Sequence, residues 1–493
     1  MGRRTLAQEV ELKFDIDPEG GAAIRRAGLF GPRRVRPKRQ DSIYYDTADG
    51  ALRHAGLSLR VRRSGRCFVQ TVKRDGGNRA GLFVRQEWES EVPSFTPDLS
   101  VLDMLPLRQG LGAASSEKLV PLVRTRVSRT AWQVRHNDSW IEVALDEGSV
   151  TSGRTRAPVS ELELELLNGV PDAVFDLAEE IAATAPLRLG VLSKIERGYA
   201  LADGKLGGAA KAEPVDLTPS LSAGDAFLAV TQSCIRHFRL NETALLGTRN
   251  AEALHQARVA IRRLRSALSL FRPMIEGSEQ RHFNAELRWL GRQLSDARNL
   301  DVLIGHAEQD AELSSALRSL RKEAYAHVES TFRAERGRGL MLKFVEWLEL
   351  GSWRQGRQAD RDLAALAGKR LGRQWRRIAR DGEDVAGLDA EARHRLRIRI
   401  KKLRYATEFL ASLYAEKPRS GRRDDFLDAL KILQERLGDL NDAWTAEALA
   451  ESLPEPLRPA IRKLHPVPDQ QKALRSAGNA LHKAHAAAGF WAG

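Results

Sequence analysis

The chain has 493 residues, 42% hydrophobic and 29% charged, which is enough for two or more domains and too balanced for disorder. Its net charge of +14, from 79 Lys+Arg against 65 Asp+Glu, points to a polyanionic partner. It has no apolar run of about 18 residues and no apolar segment behind the arginines of Met1 to Gln8, so neither a membrane span nor a signal peptide is expected. Its two cysteines, Cys67 and Cys234, exclude a disulfide framework and fit a reducing, cytoplasmic setting.

The charge is unevenly placed. Residues 1–205 hold 31 Lys+Arg against 28 Asp+Glu, whereas residues 206–493 hold 48 against 37, so most of the basic excess belongs to the second half. Gly204, Gly207, Gly208, Pro214 and Pro219 interrupt any regular pattern between the halves. We therefore expect a first domain over 1–205, a linker over 206–220 and a second domain over 221–493.

In the first half the period is mostly two. Glu9-Val10-Glu11-Leu12-Lys13 reads as a strand with Glu9, Glu11 and Lys13 on one face and Val10, Leu12 and Phe14 on the other. Carboxylates two residues apart on a strand repel by about 2 kcal/mol at an effective dielectric near 20, so a cation is expected between them. A hard divalent ion takes such oxygen ligands, and a lysine beside it holds phosphate as a point charge. Taken alone, the pentapeptide more often describes a half-buried strand with a solvated face, since alternation by itself is common.

A short helix (Gly20 to Gly28), a basic loop (Arg33 to Arg39) and a strand ending in Ile43-Tyr44-Tyr45-Asp46-Thr47 follow. Further strands cover Leu57 to Arg63, Phe68 to Lys73 and Phe83 to Val92, the last with Arg85, Glu87, Glu89 and Glu91 on one side. Val123 to Val127 carries Arg124 and Arg126 on one face, and Trp140 to Asp146 carries Glu142 and Asp146. Glu161 to Leu166 mirrors the first strand, with three glutamates opposite three leucines. Charges of both signs on one face of strand after strand predict a closed antiparallel barrel with a polar interior. Its apolar outer face would be covered by helices such as Asp172 to Thr184.

This ordered series resembles the CYTH, or triphosphate tunnel metalloenzyme, superfamily over roughly residues 5–202. The resemblance rests on Glu9-x-Glu11-x-Lys13, Tyr45-Asp46-Thr47, Leu59-Arg60-Val61-Arg62, Lys73, Arg85-x-Glu87-x-Glu89 and Arg124-x-Arg126. It continues through Leu145-Asp146-x-Gly148, Glu161 to Glu165 and Ser193-Lys194-x-x-Arg197. It implies an α+β domain with an eight-stranded antiparallel tunnel that hydrolyses a triphosphate with Mg²⁺ or Mn²⁺. Glu9, Glu11, Lys13, Glu163 and Glu165 would form the catalytic set, the four glutamates holding metal. Lys13, Arg60, Arg62, Lys73, Arg85, Arg124, Arg126 and Lys194 would bind the phosphate oxygens. Any single arginine in that set has a salt bridge to a lumen glutamate as its alternative.

From Leu221 the period changes to about 3.6 and the chain reads as helical. It also repeats: His255-x-x-Arg258-x-x-x-Arg262-Arg263-x-Arg265 aligns with His394-x-x-Arg397-x-x-x-Lys401-Lys402-x-Arg404, and Leu294 to Asn299 aligns with Leu437 to Asp442. Two pseudo-symmetric helical bundles are expected. Positions 0, 3, 7 and 10 of each repeat share one helix face, and no acid interrupts Val259 to Arg272 or His394 to Thr407. Two acid-free basic stripes favour a phosphate-binding groove over a solvated face.

This half resembles the CHAD, or conserved histidine α-helical, domain over roughly residues 221–488, which implies binding of inorganic polyphosphate by His255, His394 and the basic residues after them. Asn299 stands where that pattern has aspartate. The combined expectation is a metal-dependent inorganic triphosphatase whose helical half binds polyphosphate, placed in the cytoplasm at polyphosphate granules. The alternatives are a polyphosphate-binding protein without catalysis, a thiamine triphosphatase and an adenylate cyclase. Nucleic acid is a weaker partner, because only 6% of residues are aromatic and none interleaves the stripes.

Overall fold

The computed structural model describes residues 6–30, 35–74, 80–100, 119–307, 309–451, 455–464 and 469–492. The chain divides into two compact units: Met1–Ala210 with Arg239–Thr248 and Phe332–Leu350, and Lys211–Phe238 with Arg249–Thr331 and Gly351–Gly493. Two segments late in the sequence are therefore part of the first unit.

The first unit is built on strands β1 (Leu6–Asp15), β2 (Lys38–Thr47), β3 (Leu57–Ser64), β4 (Cys67–Arg74), β5 (Leu82–Val92), β6 (Leu119–His136), β7 (Ser139–Ser152), β8 (Thr155–Asn168) and β9 (Arg188–Leu189). Their order is β5-β4-β3-β2-β6-β7-β8-β1-β9, and β5 also pairs with β1, so eight strands close a ring. Every pairing is antiparallel. The expected closed eight-stranded tunnel is present, with the two-residue β9 added beside β1.

The alternation fixes which face is which. Leu12, Phe14, Leu59, Val61, Val72, Leu162 and Leu164 are buried on the outer side of the ring. Against β8 lies the Asp172–Thr184 helix, whose Val174, Phe175, Leu177, Ala178 and Ile181 follow the helical repeat and are buried. Pro186 follows its end, where no helix can continue. The Lys194–Ala202 helix starts at a capping box made by Ser193 and Glu196, and its Ile195 packs with Tyr44, Val123 and Val127.

The strands β6 to β8 run longer than the alternation of single stretches suggests. Asn137 and Asp138 both take positive φ, 43° and 56°, and join β6 to β7 in a two-residue hairpin that keeps both strands in register to their ends. At Gly148 the β6 backbone leaves no room for a side chain, since a Cβ there would stand 2.0 Å from the Arg126 carbonyl oxygen.

The second unit is helical from Ala223 onward. The two repeat helices, Ala251–Leu270 and Ala390–Phe409, pack against each other, each followed by a short helical turn and a longer helix. The repeats diverge at their second motif. Leu294 breaks the first copy between two helices, whereas Leu437 lies inside the continuous Arg419–Glu451 helix.

Gly148→Ala forces the β6–β7 backbones apart. We expect it to cost about 3 kcal/mol of stability, read as a lower urea midpoint of the barrel.

Candidate functional site

The barrel encloses a cavity of about 410 Å³. Inward-facing rows bring cations to one wall: Arg60 and Arg62 on β3 and Lys73 on β4. The opposite wall carries carboxylates. Glu11 of β1 faces Glu165 of β8, which in turn faces Glu142 of β7, so three acids line the cavity on neighbouring strands. Glu87 and Glu89 of β5 flank the cationic wall, where Glu87 pairs with Lys73 Nζ at 3.1 Å and Glu89 accepts the Thr71 hydroxyl at 2.9 Å.

Below these walls lies a buried ion cluster. Lys194 Nζ stands 2.8 Å from Asp146, 2.9 Å from Glu161 and 2.6 Å from Glu163. Lys13 Nζ lies 2.6 Å from the same Glu161 Oε2 and 3.5 Å from Glu163, as ion pairs without hydrogen-bond alignment at Oε2. Arg129 binds Asp146 with two parallel bonds of 2.7 and 2.6 Å and also holds Glu163. Arg197 joins Glu161, at 3.4 Å, to Asp15, at 2.8 Å.

Burial alone would raise the Glu163 carboxyl, but Lys194, Arg129 and Lys13 hold it well below its ordinary value. Glu161 and Asp146 are likewise lowered against the pull of burial, Glu161 by Lys13 and Lys194, Asp146 by Lys194 and Arg129. The Lys194 ammonium is raised well above its usual value because its three carboxylates outweigh desolvation. All of these groups are therefore charged at neutral pH.

Arg62 differs from its neighbours. Burial, and then the adjacent Arg60 and Arg129, push its guanidinium down to about 10, and among the described residues it makes no hydrogen bond or ion pair. Tyr44 faces this group from β2, and its phenol is lowered despite burial by Arg60, Lys194 and Arg62.

The cavity thus gathers Glu11, Lys13, Arg60, Arg62, Lys73, Glu163, Glu165 and Lys194 from the residues singled out in the sequence. It does not gather Arg124 and Arg126. Val123, Val127 and Arg129 share the inner face of β6, so Arg124 and Arg126 point outward, where Arg124 pairs with Asp41 and Arg126 lies 3.6 Å from it. Glu163 is placed differently from a metal ligand, since both of its oxygens are taken by ammonium and guanidinium groups. The Glu9 and Arg85 side chains lie outside the described residues; their backbones pair across β1 and β5. Arg129 was missed because the reading of its strand stopped at Val127, although the alternation continues through it. Glu142 and Glu87 were visible as alternating acids without a partner to give them a role.

The donor set around Glu11, Glu142 and Glu165 is all oxygen, which suits a hard divalent cation. Among the described residues no three His, Cys, Asp or Glu side chains converge tightly enough to hold a metal by themselves. A complete shell there would draw on further oxygens from a ligand or water.

In the helical unit, Arg258 donates to the Gly291 carbonyl at 2.8 Å and the Ser295 hydroxyl at 2.9 Å, and burial together with Arg262 and Arg298 pushes it down to about 10. His255 beside it is lowered by burial and by Arg298 and Arg262. Across the helix pair, Lys402 is lowered by desolvation and by Arg265, Arg288, Arg399 and Arg377. Arg288 and Arg377 were not anticipated, because they come from helices outside the repeats. Arg263 stands apart from the stripe: it is buried, bonds Glu408 at 2.9 Å and lies over the Phe409 ring. Arg404 is held by Glu408 and Gln434. His394, Arg397 and Lys401 lie on the exposed and half-exposed faces of the Ala390–Phe409 helix.

A closed barrel with a mixed-charge lumen, followed by an all-helical region, defines a tunnel protein with a helical appendage. Residues 7–199 match the CYTH domain family and residues 229–451 the CHAD domain family, so the chain carries a CYTH domain followed by a CHAD domain. An inorganic triphosphatase of Haemophilus influenzae is 30% identical over 202 residues, covering 40% of this chain and 55% of that protein, so the chain spans about half the length of that relative. The CHAD domain structure from the plant Ricinus communis is 27% identical, covers 56% of this chain and 96% of its own, and superposes with a TM-score of 0.50. A Hippeastrum protein assigned as an adenylyl cyclase, with a dominant triphosphatase activity, is 20% identical over 40% of this chain and 97% of its own, with a TM-score of 0.32.

The cluster carboxylates titrate below their unfolded values near 4, so their ion pairs stabilise the fold above about pH 5 and lose that contribution as pH falls through the folded-state values. Glu163→Gln should cost about 3 kcal/mol at pH 7 and flatten the acid limb of the Tm profile below about pH 5.

Proposed function

We propose that the tunnel hydrolyses inorganic triphosphate to phosphate and pyrophosphate with a divalent metal, Mg²⁺ or Mn²⁺, and that the helical half binds inorganic polyphosphate. The observation that carries the first part is the half-buried Arg62 guanidinium beside Arg60, which makes no hydrogen bond or ion pair among the described residues and faces a wall of carboxylates across the cavity. Burial depresses Arg62 most, and a triphosphate bound between the walls would offset the repulsion from Arg60 and Arg129 that adds to it.

The chain's own residues have separate tasks in this reading. Arg62, Arg60 and Lys73 bind and orient phosphoryl oxygens, so that charge developing in the transition state meets fixed donors. Glu11, Glu142 and Glu165 would hold the metal. A metal held there would supply positive charge for phosphoryl oxygens and would lower the pKa of the attacking water. Glu161 and Glu163 hold Lys13 and Lys194 in place at the floor. The 30% identity with an inorganic triphosphatase supports the choice of substrate.

For the helical half, the support is that Arg258, Arg265 and Lys402 are each lowered by burial and by neighbouring cations, whose mutual repulsion a polyanion would offset.

Phosphate release from inorganic triphosphate should require Mg²⁺ or Mn²⁺ and stop with EDTA. Arg62→Ala should lower kcat/KM about a hundredfold without unfolding the protein. Glu11→Gln/Glu165→Gln should abolish release, and an unchanged rate in that variant would remove the carboxylate wall from the reaction. Long polyphosphate should bind with a steep salt dependence that charge reversal at Arg258, Arg262, Arg397 and Lys401 reduces; unchanged binding would exclude the two stripes.

A further inference from the structure

The tunnel's first unit includes Arg239–Thr248, a segment beyond the residues matching the CYTH family and within those matching the CHAD family. Arg239 is the notable residue in it: its side chain is 3% exposed, and it bonds strand β9, which ends 50 residues earlier in the chain.

Its guanidinium makes two connections toward Lys13. Nε donates to the Leu189 carbonyl of β9 at 2.8 Å. β9 pairs with β1 at Phe14 and Asp15, and the next residue, Gly190, donates its N–H to the Lys13 carbonyl at 2.8 Å. The second connection is ionic. Arg239 Nη2 lies 3.9 Å from Asp15 Oδ2, while Asp15 Oδ1 accepts from Arg197, which reaches Glu161, the carboxylate 2.6 Å from Lys13 Nζ. Glu242, one helical turn from Arg239, balances its charge.

We propose that Arg239 is a positioning residue for the tunnel: by clamping β9 and sharing the charge of Asp15, it sets the place of the Lys13 ammonium in the cavity. The physical reason is competition. Asp15 and Glu161 both draw on Arg197, and without a second cation on Asp15 the Arg197 guanidinium shifts toward it, leaving Glu161 to pull Lys13 away from the lumen. This inference rests on the triphosphatase reading for its kinetic consequence, but not for the placement of Lys13.

The test uses the full chain. Arg239→Gln retains an N–H donor for Leu189 and loses the charge, whereas Arg239→Lys retains the charge. With inorganic triphosphate and Mg²⁺, Arg239→Gln should lower kcat about tenfold with KM within about twofold, and Arg239→Lys should recover most of the loss. Equal activity of Arg239→Gln and parent, or equal loss in both variants, overturns the proposal, the latter because it marks a packing role only. A selectively labelled lysine ammonium signal, assigned with Lys13→Arg, gives a readout independent of turnover. That signal should shift in Arg239→Gln and return in Arg239→Lys; an unmoved signal overturns the proposal whatever the rates. A parent chain that releases no phosphate overturns the proposed function instead, and the ammonium signal then decides the placement.

Discussion

Lys194 surrounded by Asp146, Glu161 and Glu163 is the constraint from which the tunnel follows. A buried ammonium with three carboxylates is stable only if further cations share those acids, and Lys13, Arg129 and Arg197 do so from three different elements. Such a network cannot be half built, since removing one member leaves an uncompensated charge away from water. It therefore ties β1, β6, β7, β8 and the Lys194–Ala202 helix to one another at one level of the barrel and leaves the lumen above it open.

That lumen is polar because the barrel is inside out relative to a common sheet sandwich. The leucines and valines of β1, β3 and β8 face outward, those of β8 under the Asp172–Thr184 helix and those of β3 against Leu52, so the opposite row of each strand has no choice but to meet inside the ring. Opposite walls then carry opposite signs, Arg60 and Arg62 against Glu11, Glu142 and Glu165. A cavity with this division suits a ligand that carries charge of both signs.

The helical half reaches a related condition by different means. No closed ring is available, so cations are gathered by packing two repeat helices side by side and adding Arg288 and Arg377 from neighbouring helices. Burial and the neighbouring cations hold Arg258, Arg265 and Lys402 below their ordinary values. Where the same stretch supplies a neutralised residue, as with Arg263 against Glu408, it serves packing instead of the surface.

Much of this architecture is written in local pattern. Alternation of period two in Glu9 to Phe14 and Glu161 to Leu166 is a property of neighbouring residues, so the polar inner face, the apolar outer face and the closed barrel were legible from the sequence, as was the change to a helical period after residue 220. Pairing and strand length were not, because they depend on residues far apart in the chain. The two-residue turn at Asn137 and Asp138 carries β6 far enough for Arg129 to reach Asp146 and Glu163, while parity on the same strand turns Arg124 and Arg126 outward to Asp41. Arg239 shows the limit most clearly. It lies in the helical half by sequence and reaches β9 only after the chain has folded, since a hydrogen bond to Leu189 across 50 positions leaves no trace in local periodicity. By itself the sequence determined the periods, the faces and the sign of the charges on them; the tertiary structure decided which charges meet, because ion pairing is set by distance in space.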